Sequence, residues 1–176
     1  MQHAYVMTII GADRPGLVEL LARVVAEHGG NWLESRLTHL GGQFAGVLRV
    51  QVPTEHEVAL CSALRALENQ GLTVVVHADQ PPPGDGERTL CTLEIVGHDR
   101  PGIVKQIARA LAQFGVNVEE LQTEVASAAM SGEMLFKARG RVSLPAGCDL
   151  AAVRAALEAI AADLFVDVAL ETLNPP

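Results

Sequence analysis

The sequence predicts an α+β chain made of two copies of one βαββαβ unit, each a four-stranded antiparallel sheet with two helices on one face. Two observations predict it. The tetrapeptide Asp13-Arg14-Pro15-Gly16 returns as Asp99-Arg100-Pro101-Gly102, an offset of 86 residues, and at the same offset Gly11 meets Gly97, Ala22 meets Ala108, Gly29 meets Gly115 and Asn31 meets Asn117. A match of that length marks an internal duplication. Within each copy, stretches of period-two hydrophobicity alternate with stretches that repeat every three or four residues, which are strand and helix signals in turn.

In the first copy, residues 5–10 are rich in β-branched and aromatic types and read as a strand. Residues 15–28 read as a helix with Leu17, Leu21, Val24, Val25 and His28 on one face. Pro15 suits the first helical position, because its φ is preset and its missing N–H is not needed there. Asp13 stands just before it, where a carboxylate can accept first-turn N–H bonds and oppose the helix dipole. From Asn31 the side chains alternate through Leu33, Ser35 and Leu37 to Leu40, and Gly41-Gly42 offers the positive φ of a tight hairpin. Phe44, Gly46, Leu48, Val50 and Val52 then line one face of the return strand. Pro53 closes it, Thr54 is placed to cap a helix reaching about Gln70, and residues 72–77 form the last strand.

The second copy repeats this order over residues 89–96, 101–114, 117–126, 133–144, 149–163 and 164–171. With right-handed split βαβ crossovers, each unit takes the ferredoxin-like arrangement. The run Gln80-Pro81-Pro82-Pro83-Gly84-Asp85-Gly86-Glu87 favours an extended spacer, so the expected domains are 1–79 and 88–176, joined by 80–87. Past the second strand the offset grows to 92 residues (Val50 to Val142), so the second copy holds six extra residues, assigned to Ser127-Ala128-Ala129-Met130-Ser131-Gly132. They fit either a functional loop or a plain hairpin extension. On the outer face of the third strand, Ala45 and Val47 become Lys137 and Arg139.

Composition narrows the function. Thirteen basic against 21 acidic side chains give a net charge of −8, which leaves no counterion-release term to drive direct nucleic-acid binding. No apolar run approaches the ~20 residues of a membrane helix, and the start of the chain lacks signal-peptide order, so no membrane contact and a cytoplasmic location are expected. Cys61, Cys91 and Cys148 are widely spaced and read as small apolar core residues. The six histidines show no metal-ligand spacing, and neither a nucleophile motif nor a phosphate loop occurs. No enzymatic activity, metal or cofactor is expected.

What remains is the duplicated tetrapeptide and its asparagine. Gly16 and Gly102 leave the helix start uncovered, open to another backbone or a small ligand; the same residues also read as a well-capped helix start. Asn31 and Asn117 begin strands, where asparagine has low propensity but offers both donors and an acceptor. A helix of ~14 residues is ~21 Å long, so the aspartate loop and the asparagine of one unit lie at opposite ends of the sheet. If the units pair through their second strands, which are sheet edges, the loop of one comes beside the asparagine of the other. Two pseudo-equivalent sites are therefore expected: Asp13, Arg14 and Gly16 with Asn117, and Asp99, Arg100 and Gly102 with Asn31. Helix-start N–H groups and an asparagine amide suit a carboxylate and an aspartate suits an ammonium, which together describe a small amino acid.

With Asp-Arg-Pro-Gly before the first helix and Gly29-Gly30-Asn31 and Gly115-Val116-Asn117 opening the second strands, the chain resembles the ACT-domain family along nearly its whole length. That resemblance implies ferredoxin-like modules that bind amino acids and regulate metabolism. It implies ligand contacts from Asp13 and Asp99 and from Asn31 and Asn117 across a domain interface. Serine-binding members also use a histidine two residues before the aspartate; this chain has Gly11 and Gly97 there, which implies a smaller or differently held amino acid. The tandem arrangement, with Glu133-Met134-Leu135-Phe136 leading into a strand that ends at Pro145, is similar to stand-alone ACT regulators. Their type implies sensing of a small amino acid, glycine expected, and control of transcription by contact with a DNA-bound regulator protein rather than DNA. It leaves room for a homodimer. The alternative is an amino-acid-responsive subunit of a biosynthetic enzyme, against which the second Asp-Arg-Pro-Gly counts.

Overall fold

The computed structural model describes residues 1–80, 86–128 and 132–173. The chain divides into two compact units, Met1–Pro81 and Pro82–Pro176. Most of the expected spacer, residues 81–85, and residues 129–131 of the expected loop lie outside the described residues.

The first unit runs β1 (Gln2–Ala12), α1 (Leu17–Glu27), β2 (Asn31–Leu40), β3 (Gln43–Pro53), a 3-10 turn (Thr54–His56), α2 (Glu57–Ala66), a second 3-10 turn (Leu67–Gln70) and β4 (Leu72–Ala78). The second runs β5 (Thr89–His98), α3 (Ile103–Gln113), β6 (Asn117–Ser127), β7 (Met134–Leu144), α4 (Leu150–Leu164) and β8 (Val166–Thr172). Strand orders are β2-β3-β1-β4 and β6-β7-β5-β8, and every pairing is antiparallel. This is the expected ferredoxin-like α+β pair, with β2 and β6 at sheet edges.

Strand alternation sets the core. Met7 and Ile9 of β1 face Leu48 and Gly46 of β3 and pack with Leu21, Leu60, Leu64 and Leu72. In the second unit Leu93, Ile95, Val142, Ile107, Leu111 and Leu157 play the same parts. Each such leucine or isoleucine contributes about 1.5–3 kcal/mol by burial. The other sheet faces diverge. The first unit shows exposed Ile10, Val47 and Val75 beside the ion pair Arg49–Asp79 at 2.6 Å, and the second shows exposed Val96 with the ion pairs Lys137–Glu124 at 3.7 Å, Arg139–Glu94 at 3.3 Å and Arg141–Glu120 at 2.9 Å.

Three local expectations are corrected. Thr54 does not cap α2: a 3-10 turn intervenes and its hydroxyl donates to the Met1 carbonyl at 3.0 Å. Asp149, by contrast, does cap α4, its Oδ1 accepting from the Ala151 N–H at 2.9 Å. Second, Leu33, Ser35 and Leu37 do not share a face. A bulge between Trp32 and Glu34 shifts the register, so Trp32 and Leu37 lie over Val50 and Gly46 while Leu33 is exposed. Third, only Cys91 is buried; Cys61 and Cys148 are half-buried. Among the described residues no helix is long and apolar enough to cross a membrane, and no cluster of three or more His, Cys, Asp or Glu residues could hold a metal ion.

Candidate functional site

Pro15-Gly16 and Pro101-Gly102 form turns rather than first helical turns. Gly16 and Gly102 are the N-caps, with φ of 91° and 99°, and the helices begin at Leu17 and Ile103. The expectation of Pro15 and Pro101 at the first helical position is corrected, because a proline followed by a left-handed glycine is the middle of a turn. Any other residue at that φ would cost about 1–2 kcal/mol.

The aspartates also differ from expectation, since neither side chain caps its helix. Their main chain is tied to the strand end instead: Asp13 N donates to Gly42 O and Asp99 N to Met134 O, both at 3.0 Å. The left-handed turn then separates each carboxylate from the helix it precedes. The first-turn N–H groups have no partner within the helix, and no side chain accepts from them at either cap. A Cβ placed on Gly16 would meet nothing within 4 Å, and on Gly102 only the Gln106 side-chain nitrogen at 3.9 Å. Each loop is an open, donor-rich surface flanked by a carboxylate.

The arginines anchor the loops. An Arg14 N–H donates to the Gln70 carbonyl at 3.2 Å, and the Arg100 guanidinium lies 5.0 Å from the centre of the Phe165 ring. Both reach the exit of the unit's second helix. There the copies differ: Gly71 takes φ 77° in the first, and Phe165 takes φ 55° in the second with its ring exposed.

Gly11 and Gly97 have a structural reason. A Cβ on Gly11 would come within 2.4 Å of the Gly71 carbonyl oxygen, and one on Gly97 within 2.6 Å of Val166 Cα. The neighbouring strand passes too close for a histidine, so neither loop has an imidazole beside its aspartate from that position. In the first unit one arrives from elsewhere: His39 Nε2 lies 3.7 Å from the Asp13 carboxylate. Val125 stands in its place in the second unit, opposite Phe136 as His39 is opposite Phe44. Among the described residues the Asp99 side chain has no partner.

Asn31 and Asn117 open β2 and β6, opposite Gln51 and Ser143. Ala12, beside the Asp13 loop, pairs with Gln43, so along β3 the loop and Asn31 are separated by ~27 Å at ~3.4 Å per residue. Within one unit they do not meet. The asparagines have different surroundings. Asn117 Nδ2 donates to Glu119 Oε1 at 2.8 Å, and the buried Ser143 hydroxyl donates to the same oxygen. Arg88 Nε donates to Ser143 Oγ at 3.0 Å, and an Arg88 N–H donates to the Gly115 carbonyl at 3.3 Å. The Ser143 and Asn117 hydrogen bonds hold the Glu119 carboxyl below its usual range. Among the described residues the Asn31 side chain has no partner. Sequence reading missed Glu119, Ser143 and Arg88 because a bulge between Val118 and Glu120 turns the strand where period-two counting cannot follow. The duplication held one signal: at offsets of 86 and, past the second strand, 92 residues, Glu119, Arg88 and Ser143 match Leu33, Gln2 and Gln51.

An ACT-domain model matches residues 3–77 and again 90–171. The chain belongs to the ACT-domain family. It is 31% identical over 173 residues to phosphoserine phosphatase SerB2 of Mycobacterium tuberculosis, covering 94% of this chain and 40% of that protein. It is 23% identical over 175 residues to the glycine cleavage system transcriptional repressor of Escherichia coli, covering 98% of this chain and 92% of the repressor. The crystal structure of an unknown protein from Galdieria sulphuraria superposes with a TM-score of 0.85 at 28% identity, covering 99% of this chain and all of that one. The chain thus spans less than half of the phosphatase, and nearly all of the repressor.

Proposed function

We propose that this ACT pair is an amino-acid sensor that regulates transcription as a repressor-type protein, by contact with a DNA-bound regulator protein and not with DNA. The observation that carries the reading is the pair of open Asp-Arg-Pro-Gly turns, each with uncapped helix-start N–H groups beside a carboxylate, in a chain that matches a glycine cleavage repressor over 92% of the repressor's length. The ligand-binding residues are Asp13 and Gly16 in the first turn, Asp99 and Gly102 in the second, and Asn31 and Asn117 at the strand starts; Arg14 and Arg100 hold the turns in place. The ligand is a small amino acid, glycine first: its carboxylate faces N–H donors and its ammonium the aspartate. The charge of −8 supports a protein partner over nucleic acid.

A thermal-shift screen of the twenty amino acids tests this. A ligand at ~100 times its Kd adds ~2.7 kcal/mol of stability, so glycine or a close relative is expected to raise Tm. A flat response to all twenty, with capture of the partner regulator unaffected by glycine, would overturn the sensor reading.

A further inference from the structure

The helical layer of the second unit carries charges that the ligand turns do not use. Of the 13 cationic side chains, Arg65, Lys105 and Arg109 alone make no hydrogen bond, ion pair or ring contact among the described residues. In a chain of net charge −8 an unpaired cation is the exception. Lys105 and Arg109 stand four residues apart on α3, and such positions lie on one helix face, ~5–6 Å apart. Both line a single open groove of about 510 Å³, with Gly102, Gln106, Gln113 and, from α4, Ile160. No acidic side chain lines it, and the sequence holds no aspartate or glutamate from Arg100 to Val118. Two residues before Gly102, Arg100 lies over the exposed ring of Phe165; arginine and aromatic side chains are both enriched where proteins meet.

The matching helix of the first unit has the opposite character. At the offset of 86 residues Lys105 matches Glu19, Gln113 matches Glu27 and Arg109 matches Arg23. There the arginine is internally paired, with Glu19 at 3.7 Å. One copy of the helix therefore balances its own charge, and the other leaves two cations facing a groove that offers them nothing. Cations in that setting are complementary to carboxylates from outside the chain. Resting on the protein-contact half of the reading above, we propose that the groove between α3 and α4 docks an acidic segment of the partner protein. Its carboxylates meet Lys105 and Arg109, and an apolar side chain between them meets Ile160. Acidic residues one helical turn apart match the spacing of the two cations, so the segment is an acidic amphipathic helix. Docking here uses the second unit alone and does not depend on which amino acid is sensed. The net charge of −8 disfavours a nucleic acid in the same groove.

The test titrates the 15N-labelled full chain with a helical peptide of about 15 residues that carries glutamates one turn apart beside a leucine stripe. Backbone amide signals of Lys105, Gln106, Arg109 and Gln113 are expected to shift, with an affinity that falls as salt rises. Lys105→Gln combined with Arg109→Gln should weaken the peptide at least about tenfold, and the same peptide with glutamine for every glutamate should lose as much. Arg23→Gln, on the first unit's helix, should leave the affinity within about twofold. Both groove positions are exposed; should the double variant fail to fold, Lys105→Gln and Arg109→Gln taken singly decide, each with a smaller loss in the same direction. Equal binding by the variants, equal binding of the glutamine peptide, shifts confined to other parts of the chain, or no shift at millimolar peptide overturns the proposal. So does a short DNA duplex that shifts the groove amides more strongly than the peptide does. None of these outcomes changes the thermal-shift response to amino acids, so the sensor reading is judged separately.

Discussion

The two units are the same fold reached from sequences that have drifted apart, in the core (Tyr5 and Met7 against Cys91 and Leu93) as well as around the turns. Both keep a left-handed glycine ahead of the first helix, at φ 91° and 99°, and both keep a glycine where strands crowd at Gly11 and Gly97. They also differ around the turns and strand starts: His39 against Val125, Leu33 against Glu119, Gly71 against Phe165. Duplication preserved the glycines that the backbone cannot do without.

The shared requirement gives the largest expected effect. Gly11→Ala and Gly97→Ala each place a Cβ within 2.4–2.6 Å of backbone atoms, and each should destabilise its own unit by about 2 kcal/mol, read as a lower urea midpoint. If one variant is silent, the units are not equivalent even in their frames.

Titration separates the units next. Burial of the ring, followed by its hydrogen bond to the Glu57 carboxylate, pushes Tyr5 up to about 12 from 10. A raised folded value means the stabilisation is complete below pH 10 and is lost as pH rises through about 12. Tyr5 is the single tyrosine of the chain, so its absorbance at ~295 nm should titrate near 12 when folded and near ~10 when unfolded, and the alkaline loss should belong to the first unit. The acid limb is shared. Glu57 and Glu119 are both lowered, by the Tyr5 and the Ser143 hydrogen bonds respectively, so their contributions are present above the usual carboxylate range and fade as pH falls through the lower folded values. Glu119→Gln should flatten the second unit's part of that loss, an effect below about 1 kcal/mol for so exposed a carboxylate.

The smallest effect concerns the helix exits. Phe165 has the left-handed conformation that the first unit gives to Gly71. Phe165→Asn should relieve about 1–2 kcal/mol of backbone cost and forfeit about 0.5–1 kcal/mol of stacking with Arg100, leaving a net gain of ~0.5 kcal/mol by thermal unfolding. A net loss would mean that the Arg100–Phe165 contact anchors the second loop more strongly than the Arg14–Gln70 hydrogen bond anchors the first.

Much of this was legible in the residues. Strand alternation and helical spacing placed all eight strands and four helices, because those periods record burial directly and both units bury one face of each element. Aspartate, glycine and asparagine stood out through repetition, which needs no geometry to see. The aspartate's failure to cap was not legible: it depends on a turn at Gly16 and Gly102 whose φ the sequence permits but does not fix. The bulges were equally hidden, since one extra residue in a strand changes which side chains face each other without changing composition.

By itself, then, the sequence determined two copies of a βαββαβ unit and which residue types the two loops and two strand starts present, because local periodicity and duplication are written along the chain. Tertiary structure alone decided which side chains those residues meet. That Asn117 donates to a carboxylate while Asn31 does not depends on Glu119 turned by a bulge, Ser143 from the next strand and Arg88 from before β5. Such partners are set by strand register, a property of paired strands that no single stretch of sequence carries.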